Sequence, residues 1–122
     1  MIAKSIKLTD SFFLSYLWVL GGYELIRTIS QRCQERREIL GEELNQRIHK
    51  LKGDFERLRI PLAKMEPAWK HTATDSPIAF PAFHKDLGIS WRVSEDLYIP
   101  RRQLSDSLLS LFEDVSAKLA SN

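Results

Sequence analysis

Residues 11–23, SFFLSYLWVLGGY, carry no charged side chain and sit in a stretch whose apolar residues recur at helical spacing. Leu14, Leu17, Gly21, Leu25 and Ile29 step by three and four, with Trp18, Gly22 and Ile26 beside them. Phe12, Phe13, Tyr16, Val19, Leu20 and Tyr23 fill the remaining sides, and a helix that is apolar nearly all round needs protein around it. The uncharged run is shorter than the roughly 20 residues that cross a bilayer. Asp10 before it and Tyr-Glu-Leu after it do not suit a signal peptide. The expectation is a cytoplasmic chain with no membrane partner, whose first helix starts at Thr9 or Asp10, where a side chain can cap it.

That helix needs a cover, and the next segment offers one. The pattern breaks after Cys33, where Arg36 and Arg37 fall on the stripe, which places a turn in QERREILG. From about Leu40 a second stripe follows: Leu40, Leu44, Ile48, Leu51, Phe55, Leu58 and Leu62, stepping by three and four. Glu43 and Arg47 stand i,i+4 on this helix and can pair, while Pro61 should kink or end it. Two helices of similar length joined by a short turn form an antiparallel hairpin.

Beyond Met65 the texture changes. PIAFPAF and ISWRV read as strands separated by HKDLG, where Gly88 can take the positive φ of a tight loop. Pro81 has no N–H to donate, so its strand belongs at an edge. LYIP can add a third short strand after SED. A last helix, from about Arg101 to Leu119, lines up Leu104, Leu108, Leu111, Phe112, Val115 and Leu119. The fold class is therefore mainly α: a long antiparallel helical hairpin plus a C-terminal helix, with a small β-hairpin-like insertion at about 78–93. A chain of 122 residues with no linker or repeat reads as one domain, 1–122.

Charge excludes more than it assigns. The 18 Lys and Arg against 16 Asp and Glu are spread along the chain, so no segment is a polyelectrolyte. Arg36, Lys50, Arg57 and Lys64 fall at multiples of seven, with Arg47 adjacent, and that edge can meet phosphates. Glu42, Glu43, Asp54 and Glu56 interrupt it, which favours a mixed solvated face; nucleic acid is a possible partner but not the favoured one. Stacking on Trp69, Trp91 or Tyr98 would need those rings beside the cations.

The single Cys33 rules out an internal disulfide, and near a helix C-terminus its thiol is inert. His49 reads as a surface helix position, and His71 and His84, with Asp75 and Asp86 nearby, match no ligand spacing. No metal, cofactor or catalytic residue is therefore assigned, and the chain carries no P-loop, GxGxxG, HExxH or GxSxG motif.

Two glycines inside a helix cost about 1 kcal/mol each relative to Ala, so Gly21 and Gly22 call for a close contact. Ser15, Trp18, Gly21 and Gly22 form the expected close-packing or dimer seam, with Ile29 further along the same strip. Beside it runs a semi-polar stripe of Tyr16, Leu20, Tyr23, Glu24, Arg27 and Gln31. If buried, Glu24 and Arg27 must be satisfied internally, by Lys64, Glu66 or the hairpin. If they line a cleft, Tyr23, Glu24, Arg27, Lys64 and His71 form a candidate site for an anionic or polar ligand.

Two functional expectations follow. The leading one is a non-enzymatic helical interaction module that self-associates, because an all-round apolar helix is hard to cover within so short a chain. The alternative is a small-ligand or nucleic-acid-acting domain using the polar cleft around Tyr23, Glu24 and Arg27.

Overall fold

The computed structural model describes the backbone of residues 2–121 and the side chains of residues 9–121. In chain order it contains α1 (Ile2–Glu35), the short α2 (Arg37–Leu40), α3 (Glu42–Lys64), a 3-10 turn (Trp69–His71), β1 (Asp75–His84), β2 (Gly88–Ser94), β3 (Tyr98–Pro100) and α4 (Arg101–Ser121). The protein is mainly α-helical with a small antiparallel sheet, as the spacing of its apolar residues implies.

α1 begins at Ile2 rather than at Thr9 or Asp10, because the preceding Ile-Ala-Lys-Ser-Ile-Lys-Leu holds no Gly or Pro to stop the helix. α1 and α3 run antiparallel. Ser30 and Gln34 line one cavity with Asn45 and Ile48 near the turn, while Trp18 and Gly22 meet Phe55 further from it. The break between them is built on Gly41, whose φ of 87° an L side chain rarely adopts. Asn45 secures that corner from within α3: its Nδ2 donates to the carbonyls of Arg37 at 3.0 Å and Gly41 at 2.7 Å. Sequence spacing does not single out Asn45, which is buried.

The stripe that ends α2 and runs along α3 supplies much of the core. Leu40, Ile48, Leu51, Phe55 and Leu58 are buried; Leu44 and Leu62 pack half-covered at its margin. α3 runs through Pro61 to Lys64 instead of ending there, with the proline ring fully buried. The expected Glu43–Arg47 pair does not form. Arg47 reaches to α4, where it donates to Asp114 at 2.6 Å. On α4, Leu104, Leu108 and Leu111 enter the core and Phe112 and Val115 flank it, but Leu119, a turn beyond the last contact, is exposed.

The sheet has the order β1-β2-β3, so Pro81 does lie on an edge strand. Its register pairs Phe83 with Ile89, Pro81 with Trp91 and Trp91 with Ile99. Gly88, at φ 77°, closes the hairpin. The first strand starts at Asp75, earlier than expected, because a register shift between Asp75 and Phe80 absorbs Pro77 and lets the strand continue. Trp91 joins the sheet to α1. Its Nε1 donates to Ser15 Oγ at 3.2 Å, and its ring meets Phe12 edge-on at 6.1 Å.

The two adjacent glycines of α1 have opposite surroundings. A Cβ on Gly22 would stand 2.6 Å from Phe55 Cε1, whereas one on Gly21 would meet nothing within 4 Å. Gly22→Ala should therefore destabilise the fold by about 1–2 kcal/mol, the clash outweighing the gain in helix propensity, and Gly21→Ala should stabilise it by about 1 kcal/mol. Urea unfolding of dilute protein, followed by tryptophan fluorescence, reads both.

Candidate functional site

The buried side of α1 consists of Ser15, Val19, Tyr23, Ile26 and Ser30. These residues step by three and four and define the line that faces α3 and the sheet. The opposite line is not covered by this chain. Leu14 is 63% exposed, Leu17 47% and Leu25 46%, with Phe13 at 62% on their flank. The expectation that protein encloses the first helix on every side thus fails within one chain: α3, α2 and β2 pack against it, and its buried residues all lie on the Ser15–Ser30 line. A helix of this composition keeps its whole apolar circumference out of water only with a second protein surface.

Of the expected seam, three residues face inward. Ser15 accepts the Trp91 hydrogen bond, Gly22 receives the Phe55 ring, and Trp18 lies half-buried between Phe55 at 5.6 Å and the Arg101 guanidinium at 5.6 Å. Gly21 alone is on the uncovered line. The stripe continues sideways into a surface groove of about 440 Å³ between α1 and the β1–β2 turn. Leu14, Trp18, Phe83, Leu87 and Ile89 make it apolar, and Arg101 stands at its rim. Phe83 and Leu87 are themselves exposed, so helix and hairpin present one continuous apolar surface.

The semi-polar stripe comes together only in part. Tyr23 is buried, with the Arg59 guanidinium 5.0 Å above its ring. Burial, reinforced by Glu56 and Glu24 against the opposing Arg59 and Arg27, pushes its hydroxyl above the ordinary tyrosine value. Glu24 and Arg27 pair with each other at 3.4 Å, and both side chains are about half exposed, 56% and 47%. They do not tie α1 to Lys64, Glu66 or the hairpin, because water already solvates them. Lys64 ends α3 as an exposed side chain. His71 instead lines a cavity of about 230 Å³ with Glu56, Arg57, Trp69 and Lys70, and the charge of Glu56 also acts on the Tyr23 hydroxyl.

The most deeply buried ion pair among the described residues adjoins this cavity through Arg57. Arg57 donates twice to Asp75, Nε to Oδ2 and Nη2 to Oδ1, both at 2.8 Å, and Thr74 Oγ1 bonds Oδ1 at 3.1 Å. The Asp75 side chain is fully buried and Arg57 is 24% exposed. Burial pushes the Asp75 carboxyl up, but the bonds from Arg57 and Thr74, with the positive charges of Arg57 and His71, outweigh it and hold the carboxyl below its usual range. Both charges are consumed by the pair, which fastens the start of the sheet to α3.

The other candidates have structural surroundings. His84 Nδ1 accepts the backbone N–H groups of Asp86 and Leu87, each at 3.1 Å, and shapes the hairpin turn. His49 is exposed on α3. Burial raises the Cys33 thiol above its ordinary value, which disfavours the reactive thiolate. Lys50 pairs with Asp54 at 3.2 Å, so with Arg57 also engaged the basic edge of α3 is largely neutralised. Among the described residues no group of three or more His, Cys, Asp or Glu side chains is placed to hold a metal ion, and no helix is long and apolar enough to cross a membrane. In comparisons with family models, curated proteins and solved structures, nothing matches the chain.

Proposed function

We propose that the protein is a non-enzymatic, self-associating interaction module that docks on a second copy of itself through the outward stripe of α1. One observation carries this reading: Leu14, Leu17 and Leu25 lie in line on a single helix face, each about half exposed or more, around a bare Gly21. Scattered surface leucines are ordinary, but a continuous line flanked by Phe13 and running into the Phe83–Leu87 surface has the character of a contact patch. By contrast, the charged groups near Tyr23 are paired or solvated, which favours docking over recognition of an anion there.

Light scattering on a sizing column at about 100 μM should return the mass of a dimer, since dissociation constants of transient assemblies fall in the micromolar range. Leu17→Glu should shift the protein to monomer by placing a charge in the seam. Its monomer unfolding free energy should stay within about 0.5 kcal/mol of the parent, because the side chain makes no core contact. A wild-type chain that remains monomeric at that concentration overturns the reading.

A further inference from the structure

We infer that two copies of this chain dock antiparallel along α1, with a twofold axis passing at Gly21. The inference rests on the self-association proposed for the same face and specifies how the copies meet. The outward residues of α1 are Asp10, Leu14, Leu17, Gly21, Leu25, Thr28 and Arg32, all exposed. Their steps run four, three, four, then four, three, four, a pattern that reads identically in both directions from Gly21. At about 100° per residue all seven point within roughly 40° of the Gly21 direction, so they form one seam.

A twofold antiparallel pairing brings each residue against the one equally distant from Gly21 on the other side. Leu17 then meets Leu25 of the second copy, and Leu14 meets Thr28. Asp10 meets Arg32, and symmetry repeats each contact. Parallel pairing instead sets Asp10 against Asp10 and Arg32 against Arg32, like charges at both ends of the seam. The ion pairs among the described residues involve neither Asp10 nor Arg32. Charge thus selects the direction, and the leucines supply the contact. Gly21, where an added Cβ would meet nothing within 4 Å, lets the two backbones cross closely at the axis. The hairpin groove beside Leu14 extends the surface under the second copy's Leu25–Arg32 segment.

Cysteine cross-linking in a Cys33→Ser background tests the geometry. Gly21→Cys should form a disulfide-linked dimer on mild oxidation, because the two copies of residue 21 face each other on the axis. Leu14→Cys alone should not, since its two copies stand about 21 Å apart along the seam, far beyond the roughly 7 Å reach between Cα atoms in a disulfide. Mixing Leu14→Cys with Thr28→Cys should yield the mixed dimer. Asp10→Arg and Arg32→Glu should each weaken dimerisation about tenfold, and the double variant should return to within about threefold of the parent. A Leu14→Cys dimer that cross-links to itself, or a double variant no tighter than the single ones, overturns the antiparallel seam while leaving self-association intact. A parent chain that is monomeric by light scattering overturns both.

Discussion

Phe55→Ala is expected to lower the unfolding free energy by about 4 kcal/mol, a large share of the 5–15 kcal/mol or so that holds a domain of this size together. The ring is fully buried where α1 and α3 meet, tilted against Trp18 and filling the space that a Cβ on Gly22 would enter. Its removal forfeits the transfer free energy of an aromatic side chain and leaves a void between two long helices that cannot close without shifting their axes. The neighbouring glycine sharpens the test. In the Phe55→Ala background a Gly22→Ala methyl enters vacated space, so the double variant should be more stable than the sum of the single effects by about 1–2 kcal/mol. Denaturant melts of the four proteins measure this coupling, and strict additivity would show that Gly22 is not placed to admit the ring.

Arg57→Ala is expected to cost about 3 kcal/mol, because it strands the fully buried Asp75 carboxylate without its bidentate partner. The sign of the pH dependence follows from the same geometry. In the parent, Asp75 titrates below its unfolded value, so its contribution is complete above about pH 4 and is lost as the pH falls through the folded value. Without Arg57, burial dominates and raises the carboxyl above the unfolded value, so acidification neutralises a stranded charge. The stability gap between parent and Arg57→Ala should therefore narrow as the pH is lowered from about 6 to 3, as read by urea midpoints across that range. A gap independent of pH would mean that the pair contributes packing alone. Arg57→Met combined with Asp75→Leu should recover most of the loss, since apolar replacements of matching volume remove the need for compensation.

The helices and the hairpin were legible because their apolar residues repeat with the period of the element. Leu40 at the end of α2, Ile48 to Leu58 on α3 and Leu104 to Leu111 on α4 build most of the core, and Gly88 and Pro81 occupy the turn and edge that their chemistry demands. The orientation of α1 was not legible for a physical reason. When apolar side chains surround a helix, periodicity no longer distinguishes the side facing the protein from the side facing outward. Gly21 and Gly22 are identical in sequence and opposite in environment, and only the position of Phe55 tells them apart. The Arg57–Asp75 pair and the Asn45 bonds were also hidden, since both depend on where the chain returns. The polar stripe was half visible: Tyr23, Glu24 and Arg27 do cluster, but Arg59 and Glu56, rather than Lys64 and His71, complete their surroundings.

The prolines of the sheet bear on how copies of this chain can meet. β1 is an outer strand carrying Pro77 and Pro81, and on the other side the three-residue β3 ends in Pro100. A proline has no amide N–H to offer a ladder, and a border of three residues is too short to template another strand. Ribbon-like growth through the sheet is thereby discouraged at both borders, despite the exposed Phe80 and Phe83. With that open-ended route obstructed, the twofold contact proposed along α1 would limit assembly to a closed pair.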